Sequence, residues 1–243
     1  MQLVYVLGTP GAGKTTTMLH FRKTSGLGFT EHKLQREDVA PELGEVMKSQ
    51  TISFERSSDG GVVILGVFPD PTDPDTNHEL SGSDRYTQPQ RTRLKAVIQH
   101  FKSLGDIHTV ITDGFATINK PFMEQAQLTF ESIHVVMLTT PHKVCEQRFK
   151  DRNIKMWTRR GDKARVEQFK RHSHGDAPSA RVQKKTQMVQ DVADSEAEVV
   201  DYKEAFLKLM DLCGYATATT HKYPTRSKKR RRVCEEEEEK SIA

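Results

Sequence analysis

Residues 8–15 read Gly8-Thr9-Pro10-Gly11-Ala12-Gly13-Lys14-Thr15, the complete G-x-x-x-x-G-K-[ST] spacing of a phosphate-binding loop. Both flanks agree with it. Leu3-Val4-Tyr5-Val6-Leu7 is a short continuous apolar run, the pattern of a parallel strand buried on both faces. Thr16-Thr17-Met18-Leu19-His20-Phe21 reads as the first turns of a helix. In that setting the glycines let the backbone wrap an anion, and the amides at the helix start point at it. Gly8, Gly11, Ala12, Gly13 and the helix start at Thr16 would cradle the phosphates. Lys14 would reach the β- and γ-phosphates, and the Thr15 hydroxyl would hold Mg²⁺. The spacing predicts a chain that binds a nucleoside triphosphate, ATP together with Mg²⁺.

Working outward, Ile107–Thr112 and Ile133–Leu138 are further apolar runs bounded by polar residues, and they read as core strands. Thr51–Phe54 and Val62–Leu65 flank Ser57-Ser58-Asp59-Gly60-Gly61, a hairpin signal. Arg91–Leu104 has helical spacing through Leu94, Val97, Ile98 and Phe101 and ends near Gly105. Thr117–Phe130 and Pro141–Arg152 are two more helix candidates. Residues 183–212 read as one long charged helical stretch with Val200, Phe206, Leu207, Leu209 and Met210 on its apolar side. Strands alternating with helices predict an α/β fold: a mainly parallel sheet covered on both faces, in three layers, carrying a hairpin insertion. One domain over 1–215 and a charged flexible tail over 216–243 account for all 243 residues.

Composition narrows the class. No stretch approaches the roughly 20 apolar residues of a membrane helix, and Met1-Gln2-Leu3 enters the first strand with no room for a secretory leader. Cys145, Cys213 and Cys234 are scattered without metal-ligand spacing, as expected for a reducing, cytoplasmic setting. The net charge is +4, and its distribution says more than its size. Lys228-Lys229-Arg230-Arg231-Arg232 is followed by Glu235–Glu239. Such blocks stay solvated, serve as nuclear localisation signals or touch nucleic-acid phosphates, and all three readings stay open. Pro69–Asp75 reads as an acidic, Pro-rich loop rather than a metal site, and His172 and His174 read as loop residues.

The strand at 107–112 runs into Asp113-Gly114. Asp113 would emerge at the carboxyl end of the sheet, where ligands gather in open α/β folds, and would serve the Mg²⁺ region together with Thr15. Here the chain resembles known proteins. Thr112-Asp113-Gly114-Phe115 resembles the strand end of nucleoside monophosphate kinases. Val135–Leu138 followed by Val144, Arg148 and Arg152 resembles their next strand and the helix leading to an arginine-bearing lid, here about 143–172. Ile64-Leu65-Gly66-Val67-Phe68 and then Ser81-Gly82-Ser83-Asp84-Arg85 are similar to a pattern in bacteriophage P-loop kinases. That group includes the kinases that phosphorylate 5-hydroxymethyluracil within phage DNA. The resemblance spans about residues 2–155, with weaker hints to 172. Ser83 stands where threonine is usual, the Asp113-Gly114 strand end replaces a more acidic version, and the acidic insertion at 70–79 is long.

The resemblance implies a kinase that moves the γ-phosphate of ATP to a hydroxyl of a nucleotide substrate, in host-cell cytoplasm if the chain is a phage protein. The sharpest form is 5-hydroxymethyluracil in DNA. A kinase of free nucleosides or monophosphates, and a nucleic-acid-stimulated NTPase, are the alternatives. Asp84 would accept the acceptor's proton and Arg85 would fork onto a phosphate; a helix N-cap at Asp84 is the structural alternative. Glu55-Arg56-Ser57 resembles a deoxynucleoside-kinase motif but lies too early, and reads as a structural turn. Residues 143–171 are strongly basic, and Arg148 and Arg152 would close over ATP as lid residues. Trp157, inside that run, either stacks on a base or packs on the core. If DNA is the substrate, this run and the tail are the expected phosphate-contact surface.

Overall fold

In the computed structural model the described residues are 1–9, 11–68, 82–83, 86–114, 117–141, 143–148, 173–174, 177–178, 180–194, 196–201 and 204–215. The predicted loop-and-helix start is bracketed by strand β1 (Gln2–Leu7) and helix α1 (Lys14–Thr24). Then follow β2 (Phe29–Leu34), α2 (Pro41–Met47), β3 (Ile52–Ser57), β4 (Val62–Leu65), α3 (Gln88–Arg91), α4 (Leu94–Leu104), β5 (Thr109–Asp113), α5 (Lys120–Thr129) and β6 (Ser132–Thr139). Residues 143–148 are helical. The chain continues through β7 (Ser173–His174), β8 (Ala177–Pro178), α6 (Ala180–Gln190), β9 (Glu198–Asp201) and α7 (Ala205–Leu212).

Among the described residues seven strands form one sheet in the order β2-β3-β4-β5-β1-β6-β9. The five from β4 to β9 are mutually parallel, and β3 and β2 extend one edge as antiparallel strands. The period-two alternation of a strand divides the core in two. Leu3, Tyr5 and Leu7 face one side with Val63, Leu65 and Val110, and helices α4 and α5 cover them through Val97, Phe101, Phe122 and Met123. Val4 and Val6 face the other with Ile64, Ile111 and Val136, covered by α1 and α7 through Met18, Phe21, Phe206 and Leu209. The result is the predicted three-layer α/β arrangement, with the hairpin on one edge.

The face assignment locates the ligand end. The chain leaves β1 toward α1 on one face and leaves the adjacent β5 toward α5 on the other. Connections that diverge from neighbouring parallel strands open a crevice between their carboxyl ends, which is where ligands bind in open α/β sheets. Residues 8 and 114 flank that crevice, because Val6 is in register with Asp113.

Several boundaries differ from the sequence reading. The stretch 183–212 is not one helix. α6 ends at Gln190, Glu198–Asp201 pairs in parallel with Val136–Thr139 of β6, and α7 begins at Ala205. Val200 therefore lies on an edge strand, and Leu207 is 40% exposed rather than packed. The helix expected from Thr117 starts at Lys120, because the Asn119 side chain accepts the Phe122 N–H at 3.1 Å and caps it. The 91–104 stretch breaks at Thr92-Arg93 into α3 and α4, with Gly105 in the left-handed conformation closing α4 as expected. β2 and α2 had no clear sequence signal. The expected segments at 69–81 and 216–243, His172, Cys234 and Trp157 lie outside the described residues. Among the described residues no helix is long and apolar enough to cross a membrane.

The β3–β4 turn is pinned by Asp59. Its carboxylate accepts from the Ser57 hydroxyl at 2.6 Å, from the Gly61 N–H at 3.0 Å and from the Tyr215 hydroxyl at 2.8 Å. The Ser57 bond chiefly holds this carboxyl below its ordinary value, with Gly61 and Tyr215 adding to it. A depressed folded value gives stability that is present above the unfolded pKa and lost as pH falls through the folded one. Asp59→Ala should therefore lower unfolding free energy by roughly 1 kcal/mol at pH 7, a modest figure because the site is exposed. The difference from wild type should shrink below about pH 4, checked by denaturant melts across pH.

Candidate nucleotide-binding and phosphoryl-transfer site

The loop after β1 wraps tightly. Gly11 and Gly13 adopt φ of 84° and 106°, in the left-handed region that side chains avoid. The Ala12 N–H donates to the Thr9 carbonyl at 3.0 Å, and the Thr17 N–H donates to Gly13 at 2.8 Å as α1 begins. Lys14 Nζ donates back over the loop to the carbonyls of Gly8 at 2.9 Å and Thr9 at 3.3 Å. Thr15 and Thr16 follow on the first turn of α1, whose amides carry the positive end of the helix dipole.

The segment after β6 braces this loop from outside. The Thr140 hydroxyl donates to the Ala12 carbonyl at 2.8 Å, and Arg148 Nη1 donates to the Gly11 carbonyl at 3.4 Å. Cys145, buried, approaches so closely that a Cβ on Gly11 would lie 3.0 Å from the Cys145 Cα. Arg148 thus contacts the loop through the Gly11 carbonyl. Arg152 lies outside the described residues.

Across the crevice, Asp113 ends β5 and is 2% exposed. Its Oδ1 accepts the Ser83 N–H at 2.9 Å, and its carbonyl accepts from the Ser83 hydroxyl. Ser83 belongs to the Gly82-Ser83-Asp84-Arg85 pattern, and the chain brings Ser83 to the end of β5 even though 30 residues separate it from Asp113. Gly66 and Gly82 make the approach possible. Both have positive φ, and a Cβ on Gly82 would lie 2.8 Å from Asp113 Cγ. Asp84 and Arg85 themselves lie outside the described residues. On their far side Tyr86 is buried, its hydroxyl donating to the Ser53 carbonyl at 2.6 Å and its N–H to the Ser83 carbonyl at 3.1 Å.

Thr15 and Asp113 offer oxygen donors, which suit Mg²⁺. Among the described residues no group of three or more His, Cys, Asp or Glu is placed to hold a metal by itself.

Glu55 and Arg56 lie within β3, not in a turn. Glu55 is buried at 2% exposure and ion-paired with Arg22 Nε at 3.0 Å, and Arg56 Nη2 reaches Asp106 Oδ2 at 2.5 Å. Arg22, Thr140 and the burial of Glu55 were not read from the sequence. Each contact depends on strand register or on a helix docked over the sheet, and no local pattern carries that.

No family model matches the chain, and no curated protein matches it. Among solved structures it is similar to an unliganded sugar kinase from a Janibacter species, at 16% identity over 91% of this chain and 99% of that one, with a TM-score of 0.35. It is also similar to a shikimate kinase from Acinetobacter baumannii in complex with shikimate, at 18% identity over 89% and 95%, with a TM-score of 0.37. The topology stands on the chain's own strand order.

Gly11→Ala should weaken triphosphate binding by tenfold or more. The left-handed φ of residue 11 alone costs a side chain about 1–2 kcal/mol, and the new Cβ meets Cys145 backbone. Titration of a fluorescent ATP analogue against both proteins checks this.

Proposed function

We propose that the protein is a P-loop kinase that transfers the γ-phosphate of ATP to a hydroxyl on a nucleotide substrate. One observation carries this: a complete phosphate-binding loop and a buried strand-end aspartate stand on either side of the crevice where the connections from β1 and β5 diverge. In this reading the loop amides and Lys14 hold the β- and γ-phosphates. Thr15 and Asp113 would hold Mg²⁺, which when bound neutralises charge on phosphate oxygens. Asp84 takes the proton of the attacking hydroxyl as the new O–P bond forms and the bond to the β-phosphate oxygen breaks, leaving ADP. Arg85 and Arg148 offset charge on the transferring group, with Arg152 joining them from the lid segment.

The finer reading is that the acceptor is 5-hydroxymethyluracil in DNA. Its support is the resemblance of residues 64–68 and 81–85 to phage P-loop kinases, together with the basic run over 143–171. A phosphate on that hydroxymethyl group turns a poor leaving group into a good one, which suits a later substitution on the base. A host-cell cytoplasmic setting belongs to this reading, and a nuclear one would rest on Lys228–Arg232.

Transfer of γ-³²P tests both levels. Duplex DNA containing 5-hydroxymethyluracil should be labelled, and the same duplex with thymine should not. Label on free nucleosides or monophosphates would move the protein to nucleotide metabolism, and DNA-stimulated phosphate release without a labelled acceptor would make it an NTPase. Asp84→Asn should lower turnover about a hundredfold, within the span of general-base contributions, while ATP affinity stays within twofold. An unchanged rate would remove Asp84 from the chemistry; it would not make it the cap of α3, which is Thr87.

A further inference from the structure

Phe68 is held at both of its backbone groups. Its N–H donates to Glu55 Oε1 at 2.7 Å, and its carbonyl accepts from Arg22 Nη1. The two side chains are themselves paired, with Arg22 Nε 3.0 Å from Glu55 Oε2. Three elements therefore meet at one residue: α1 through Arg22, β3 through Glu55, and the chain just beyond β4 through Phe68.

This arrangement is costly for packing alone. Burial pushes the Glu55 carboxyl above its ordinary value, and Glu31, its cross-strand partner on β2, adds to the push. Arg22 and the Phe68 N–H pull it back. Apolar side chains of similar volume would stabilise such a place as well or better. An apolar pair cannot, however, grip a backbone N–H and a carbonyl together and so set the position of that residue.

What Phe68 positions is the node at Asp113. A Cβ on Gly82 would lie 2.5 Å from Phe68 Cζ, and the Gly82 N–H donates to the Val67 carbonyl at 2.9 Å. Ser83, next in the chain, donates its N–H to Asp113. At the other end, Arg22 sits on the helix that begins with Lys14 and Thr15, about 12 Å along its axis at 1.5 Å per residue. We infer that Arg22 and Glu55 form a positioning clamp that sets the Phe68–Ser83–Asp113 node against the phosphate-binding loop through α1, controlling transfer without touching the nucleotide. The clamp's effect on transfer rests on the kinase reading above.

Three variants test it: Glu55→Met, Arg22→Met and the double substitution. Each is followed by Tm, by hydrogen exchange of the Phe68 amide, and by kcat and KM for ATP in the transfer assay. Each single variant should lose at least tenfold in kcat with KM for ATP within twofold, and should melt earlier because a buried partner is left unpaired. The double variant should recover most of the Tm while kcat stays low and the Phe68 amide exchanges at least tenfold faster than in wild type. Recovery of kcat along with Tm would overturn the clamp by reducing the pair to a stability element. A KM for ATP that rises in step with the loss of kcat would overturn it as well, as would Phe68 exchange equal in all four proteins. If wild type labels no acceptor, the kinase reading fails and the exchange measurement alone decides on the clamp.

Discussion

The parallel register of β1 with β5 is the constraint on which the rest depends. Val6 pairs with Asp113, and the Gly114 N–H donates to the Val6 carbonyl at 3.3 Å. Both chains leave the sheet at the same level and turn to opposite faces. A slip of one residue would turn Val4 and Val6 toward the wrong helices, since side chains alternate across a strand. The same slip would take the aspartate out of line with the loop. Burial of the apolar side chains on both faces thus fixes the geometry of the polar groups at the strand ends.

Around that crevice, glycines and buried polar contacts work together. Gly11 admits the Cys145 backbone, and Gly66 and Gly82 admit the Ser83 segment to Asp113. Thr140, Arg148 and Lys14 each donate to carbonyls of the loop and so hold its backbone in place. The Arg22–Glu55 pair ties the far side of the crevice to the same helix that carries the loop's lysine. Apart from the bonds of Lys14 within its own loop, these contacts join segments distant in sequence, which is why the site requires the paired strands.

Much of this was legible in the sequence where a local pattern was strong. The loop, β1, α1, the strand ending in Asp113, β6, the hairpin and α4 all follow from apolar periodicity with glycine punctuation. β2 was not legible, because Phe29–Leu34 is mostly exposed and polar, and its strand state comes from pairing with β3. β9 was hidden inside a charged stretch, since none of its four residues at the sheet edge is buried and they owe their conformation to β6. Glu55 looked like part of a turn because nothing local reveals that Arg22 will dock over it. The proximity of Ser83 to Asp113 was likewise visible only once β4 and β5 were paired.

The most direct test of the central claim is competition at equilibrium between a fluorescent ATP analogue and ATP, ADP, AMP and adenosine, in the presence of Mg²⁺. Recognition through the loop amides and Lys14 depends on the β- and γ-phosphates, so ATP and ADP should displace the analogue while AMP and adenosine should not. Equal displacement by AMP, or no binding of the analogue at all, would contradict the account.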